Sequence, residues 1–309
     1  MQTIELEQSV TFRNILLATD FSEVSSKAVP YAAAIASRYG SKIYLVNVIS
    51  PEARMPIPIE PLPAELDYGR QNAQRDMNNF LSRTSLGDLP HEVLLEQGRI
   101  WDVLSALIQR DEIDLLVLGT HGRGGLKKVL LGSVAEELFR LASCPVLTVG
   151  PAVPVEPASA KQFRRILFAT DFGAASLHAL QYAISLATQS KARLILLHVV
   201  TPVPVAEIGP YWYPGTDFIE QQKYARERYI DRLRELIPPH TNLPSDPEFL
   251  VEFDFAPDAI VKIAAVLQAD LIVMGVNQAA SARASAHLPW ATAHEVVCHA
   301  LCPVLTVRS

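Results

Sequence analysis

One stretch of this chain is written twice. 13-RNILLATDFSEVSSKAVPYAAAIA-36 returns as 164-RRILFATDFGAASLHALQYAISLA-187 at an offset of 151 residues, and 143-SCPVLTV-149 returns as 301-LCPVLTV-307 at an offset of 158. A repeat of this extent divides a chain of 309 residues, 49% of them hydrophobic, into two similar domains that each bury a core. Between the copies runs the proline-rich 150-GPAVPVEPASAKQ-162. Proline removes backbone donors and favours extended backbone. The expected division is therefore a first domain over 1–150, a linker over 151–162 and a second domain over 163–309.

Within each copy, short apolar runs alternate with longer stretches of helical period. The strands expected in copy one are 14–19, 42–49, 91–97, 114–119 and 145–149, and in copy two 165–170, 193–200, 248–254, 270–275 and 303–307. Near-continuous Val, Ile and Leu suits strands covered on both faces. The expected helices are 26–40, 65–83, 101–111 and 133–143, then stretches near 176–189, 217–236, 257–268 and 292–300. The fold class is α/β, a doubly wound, mostly parallel sheet of five strands per copy with helices on both faces. Such sheets place ligands beyond the carboxyl ends of their strands.

The segment 119-GTHGRGGLKKVLLGSV-134 falls at such an end. Glycine is costly to order and brings no packing, so glycines clustered after a buried strand mark backbone that turns sharply or closely approaches something. A helix opening near Ser133 presents free N–H groups and the positive end of its dipole, which together make an anion seat. His121, Arg123, Lys127 and Lys128 add positive charge, although the two lysines are also ordinary surface residues. The Ser133 hydroxyl is placed to donate to a phosphate oxygen, or to act as an N-cap reciprocated by Glu136.

At these residues the sequence resembles the nucleotide-binding branch of the universal stress protein family. The pattern Gly, two residues, Gly, nine residues, Gly and then Ser or Thr is met by Gly119, Gly122, Gly132 and Ser133. The ATDFS and SCPVLTV segments resemble that family's first and last strands. The resemblance implies two tandem flavodoxin-like units of the adenine nucleotide alpha-hydrolase-like kind, binding ATP, ADP or AMP with or without Mg²⁺. Carried over, it puts Ala18, Asp20 and Val48 on the adenine and ribose side. Gly119, Gly122, Arg123, Gly132, Ser133 and the adjoining Val134 fall on the phosphate side. Asp20 is equally readable as a residue that caps the first helix or shapes its turn. Asn47 departs from the family, which commonly has His there; copy two keeps His198.

Copy two departs further. Its loop, 275-GVNQAASARASAHLPWATAHEV-296, keeps Gly275 but carries Gln278 in place of the second glycine. Trp290 and Ala291 stand where Gly132 and Ser133 do, and an indole at a position of close backbone approach obstructs a phosphate. Thr292 and Glu295 repeat the capping-box spacing, so a helix is expected to start there. One working nucleotide site per chain follows, in copy one, unless Asp171 and Val199 retain a nucleoside-like ligand.

Other chemistries find little support. A net charge of −6 without a long basic or acidic run gives no footprint for nucleic acid or an anionic membrane. The N-terminus shows no leader pattern and the three cysteines suggest no disulfide framework, so a cytoplasmic setting is expected. His294 and His299 stand five apart, off the four-residue spacing of a zinc-protease helix. Neither a dinucleotide fingerprint nor a Walker motif occurs. The expected function is an adenine-nucleotide sensor and regulator of the stress response, with at most weak ATPase activity. A slow hydrolase and a nucleotide-independent scaffold are the alternatives. The two copies are expected to pack as an intrachain pseudo-dimer through their terminal strands, whose edges are otherwise exposed. Two chains are expected to associate further, and a protein partner to read the nucleotide state. The loops 51–65 and 201–217, the latter with Tyr211, Trp212 and Tyr213, offer contact surface for such a partner or a small apolar ligand.

Overall fold

A computed structural model describes residues 10–50, 63–84, 86–120, 133–154, 163–201, 218–276 and 289–308. In copy one, β1 (Asn14–Ala18), β2 (Lys42–Ile49), β3 (His91–Gln97), β4 (Leu115–Gly119) and β5 (Val146–Val149) alternate with α1 (Glu23–Ser26), α2 (Val29–Tyr39), α3 (Pro63–Arg83), α4 (Ile100–Arg110) and α5 (Ser133–Leu141). Copy two supplies β6 (Arg165–Thr170), α6 (Ala174–Ser190), β7 (Arg193–Val200), α7 (Phe218–Arg234) and β8 (Glu248–Phe253). It continues through α8 (Ala256–Val266), β9 (Leu271–Val276), α9 (Pro289–His299) and β10 (Val304–Arg308).

Among the described residues, ten strands join one sheet, in the order β3-β2-β1-β4-β5-β10-β9-β6-β7-β8. Pairing is parallel within each copy, as expected of strands linked by helical crossovers. Among the described strands the one antiparallel junction is β5 on β10, which sets Thr148 opposite Val304, Leu147 opposite Leu305 and Val146 opposite Thr306. The repeated CPVLTV strands therefore cover each other's edges, as the sequence led us to expect. Because the junction is antiparallel, the carboxyl ends of the two copies' strands point to opposite ends of the sheet.

Alternation along each strand feeds two apolar layers. Ile15, Leu17, Ile43, Leu45, Leu115 and Val117 face α2 and α3, whereas Leu16, Val46, Leu116 and Leu118 face α4 and α5. Each copy fastens its first strand in the same way. The Asp114 carboxylate accepts the N–H of Arg13 at 2.7 Å, and that of Asp270 accepts the N–H of Arg164 and of Arg165 at 2.8 Å.

Two helices differ from expectation. The expected helix 26–40 is α2, which starts only at Val29 and is preceded by a separate short helix, α1, whereas its counterpart α6 is continuous over 17 residues. Copy one has Pro30 where copy two has Gln181. Proline has no N–H to give the carbonyl four residues back and its ring clashes with that carbonyl, so the helix restarts with Pro30 in its first turn. The second difference is α9, which begins at Pro289 and not at Thr292, so Thr292 lies inside the helix and is not its cap. Pro289 explains the earlier start, since its fixed φ suits a first helical position.

Candidate functional site

In the order β3-β2-β1-β4-β5, the chain reverses direction across the sheet between β1 and β4, the switch point at which doubly wound sheets open a crevice. Ala18 ends β1, Gly119 ends β4 and Val48 is the last residue but one of β2. Ala18 and Val48 are half-buried and pack against the apolar layer beneath α4 and α5. The crossover between β4 and β5 requires α5 to run against the strands. Its first residue, Ser133, therefore lies at the carboxyl end of the sheet, on the crevice side.

The turn after β1 is built by short side chains. Thr19 donates its N–H to Val46 O at 2.9 Å, and its hydroxyl accepts the N–H of Phe21 at 3.0 Å. Phe21 thereby sits in the left-handed region, at φ 64°. Asp20 Oδ1 accepts the N–H of Ser22 at 3.0 Å, and Ser22, the N-cap of α1, accepts the N–H of Ser25 at 3.1 Å. Asp20 thus does shape this turn. Asn47 Nδ2 donates to Thr19 O at 2.8 Å, which ties the end of β1 to β2.

Gly119 has a packing reason of its own. A Cβ there would come within 2.7 Å of Val24 O and 2.9 Å of Ser25 Cα, so α1 can lie against the end of β4 only over a glycine. The next residue, Thr120, is buried and donates its N–H to Val149 O at 3.2 Å. Gly122, Arg123, Gly132 and the other charged residues of the loop lie outside the described residues. Ser133 and Val134 are placed as the first residues of α5.

Sequence reasoning placed the start of α4 to within one residue but did not assign its first residues to the crevice. Gly98 adopts φ 147° and donates its N–H to Ile49 O at 3.2 Å, which turns the chain from β3 into α4. Ile100, Trp101 and Val103 then pack half-buried on the same layer as Ala18 and Val48. The available signal was the Gly98 that ends the apolar run of β3. Arg99 Nη2 bridges to Glu137 Oε1 at 2.8 Å and so joins the entry of α4 to α5.

Copy two repeats the turn that follows the first strand. Phe172 has φ 62° and gives its N–H to Thr170 Oγ1 at 2.9 Å. His198 Nδ1–H donates to Thr170 O at 2.8 Å, the role that Asn47 has in copy one. Asp171 Oδ1 is engaged by the Gly173 N–H at 2.8 Å and the Ser176 hydroxyl at 2.5 Å. The His198 ring lies 4.5 Å from Phe172 and 4.6 Å from Tyr229. Burial lowers the pKa of this imidazole, the Thr170 carbonyl opposes that shift, and the nearby Arg232 guanidinium reinforces it. At Gly275 a Cβ would come within 2.2 Å of Ala175 C and Ser176 N, so the close approach of strand and helix recurs. The loop 277–288 lies outside the described residues, and Trp290 falls in the first turn of α9.

Cys144 and Cys302 sit at matching strand entries, and burial pushes both thiols up to about 12, well away from nucleophilic thiolates. Among the described residues no cluster of His, Cys, Asp or Glu is arranged to hold a metal ion, and no helix is long and apolar enough to cross a membrane.

Comparison with known proteins agrees with this architecture. A universal stress protein of Mycolicibacterium smegmatis is 30% identical over 231 residues, covering 73% of this chain and 75% of its own. One from Mycobacterium tuberculosis is 29% identical over 223 residues, covering 71% and 72%. The crystal structure of a universal stress protein from Archaeoglobus fulgidus superposes with a TM-score of 0.65 at 19% identity, over 96% of this chain and 98% of that one. The model of the universal stress protein family matches twice, at residues 11–150 and 162–308. The chain belongs to the universal stress protein family, as a tandem member with two flavodoxin-like α/β units in one polypeptide.

Proposed function

We propose that copy one binds an adenine nucleotide, ATP or a close relative, and that its occupancy is the signal this protein passes on in the stress response. The observation that carries the reading is the switch point. Half-buried Ala18 and Val48 offer a small apolar floor there, and Gly119 leads out of β4 toward the N-terminus of α5. A purine fits such a floor, and Trp101 at the entry of α4 extends it. The loop pattern Gly119, Gly122, Gly132 and Ser133 suits the phosphates, with Arg123 supplying charge and the N–H groups near Ser133 and Val134 supplying donors. On this reading Asp20, whose Oδ1 accepts the Ser22 N–H, contacts the ribose. Occupancy acts by favouring one arrangement of the loop, and a partner reads the difference.

The test is titration calorimetry of ATP into the native chain and into Gly132→Trp, which imports the residue of copy two. Affinity is expected to fall at least about tenfold, equivalent to about 1.4 kcal/mol, with the melting temperature of the free protein held. Equal affinity in the two proteins overturns the assignment of the loop.

A further inference from the structure

A second opening lies on the other face of copy one. Phe21, Glu23 and Pro30 form one wall and Asp76, Phe80 and Arg83 of α3 form the other, around a groove of about 610 Å³. Cavities of this size accommodate small ligands. Its chemistry is mixed. Phe21 and Phe80 meet edge to face at 5.9 Å, and Glu23 and Asp76 outweigh Arg83 by one negative charge.

The internal repeat shows what such a surface accepts. Phe21 and Phe172 occupy the same place after the first strand of their copies. Both have positive φ, 64° and 62°, and both are fixed by the same N–H bond to a threonine hydroxyl. Their backbones are thus held alike, while Phe21 meets Phe80 edge to face and Phe172 stacks on Tyr229, 6.2 Å away, on the helix that follows the second strand. On that helix, Met77 in copy one and Leu233 in copy two are fully buried anchors. The residue before each anchor differs in kind: Asp76 in copy one, Arg232 in copy two. In copy two the Arg232 guanidinium lies over the Phe172 ring, 4.1 Å from its centroid. Copy one carries Asp76 at the corresponding position of its helix, and there Phe21 and Asp76 line the groove together.

We propose that the groove between Phe21 and Asp76 binds a guanidinium group from a ligand, in the position that the chain's own Arg232 takes in copy two. The aromatic face attracts the cation and stacks the planar guanidinium, while the carboxylates of Asp76 and Glu23 supply the counter-charge. An ammonium lacks the plane and the fork of donors and is the poorer guest. The ligand class is an aliphatic guanidinium compound of the size of arginine, either free or as a side chain on a peptide. The groove shares no residue with the proposed nucleotide site, so the two readings stand or fall separately.

Calorimetric titration of the full native chain with L-arginine amide tests this, with lysine amide and the peptide amide Gly-Arg-Gly as parallel arms. Saturable millimolar binding of arginine amide, at least about fivefold tighter than lysine amide, is expected. Tighter binding of the peptide assigns the source to a partner's arginine, and equal binding assigns it to the free compound. Asp76→Arg supplies a guanidinium in cis and is expected to abolish binding. Phe21→Leu, which keeps an apolar residue, is expected to weaken it about fivefold. Both variants are checked by melting temperature and retained ATP affinity. No saturable binding to the native chain, equal binding of lysine amide, or undiminished binding to a folded Asp76→Arg chain overturns the proposal.

Discussion

Phe12 of copy one lies against Tyr182 of copy two with ring centroids 6.0 Å apart, and the residues at the corresponding places, Phe163 and Tyr31, repeat the contact at 6.5 Å. The two halves of one chain therefore meet as the subunits of a two-fold dimer do, through the same surface used twice. Each Phe precedes the first strand of its own copy and reaches the long helix of the other. Tyr39, on α2, adds a hydrogen bond to Ser185 of α6 at 3.1 Å.

Replacing Phe12, which is 1% exposed, by Ala removes a ring that both cores share. A loss of about 3–5 kcal/mol is expected, with Phe163→Ala close to it. Urea unfolding monitored by circular dichroism checks this. If the copies stabilise each other through these rings, either variant separates one cooperative transition into two. A loss under about 1 kcal/mol with a single unchanged transition contradicts that coupling.

At the β5–β10 junction, two threonines at matching positions behave differently. Thr306 Oγ1 donates to Val146 O at 3.2 Å, whereas buried Thr148 Oγ1 has no hydrogen-bond partner among the described residues. Thr306→Val is expected to cost about 0.5–1.5 kcal/mol, while Thr148→Val is expected to be neutral or stabilising, because it replaces an unsatisfied hydroxyl by a methyl of similar size. Paired thermal melts settle the order, and equal effects of the two substitutions refute it.

His198 makes the second domain sensitive to acid. Burial lowers its folded pKa below the ordinary 6.5, so at mildly acidic pH the unfolded chain takes up a proton that the folded chain resists. The resulting contribution to stability is complete above about pH 6.5 and is lost as pH falls through the lowered folded value. Groups facing the ring are Asp171, which opposes the shift, and Arg232, which favours it. His198→Asn, the residue of copy one, retains a donor for Thr170 O and cannot titrate. Its melting temperature should decline less than that of the native chain between pH 7 and pH 5. Parallel declines count against the assignment.

The strand positions were legible because each is a run of Val, Ile and Leu bounded by turn residues, and their limits in the structure agree to within a residue or two. The break in the first long helix was written in Pro30 but was overlooked, since the surrounding residues all favour a helix. Likewise Pro289 marked the start of α9 more strongly than the capping spacing at Thr292 did. Of the crevice, Ala18 and Val48 were assigned through the family resemblance and Gly119 through the glycine pattern, and the structure places all three at or next to the ends of their strands. Trp101 was not assigned, because nothing local distinguishes a tryptophan that packs beside the crevice from one anywhere else on a helix.

By itself the sequence determined that this protein is two copies of one α/β unit, since periodicity, strand composition and the repeat are properties of neighbours along the chain. It also determined that the glycine pattern is complete only in copy one. The tertiary structure decided how the copies meet, that α1 requires a glycine at Gly119, and that Arg232 lies over the Phe172 ring in copy two, whereas Asp76 lines a groove beside Phe21 in copy one. Those outcomes depend on contacts between residues far apart in sequence, for which the repeat offers the partners but not the geometry.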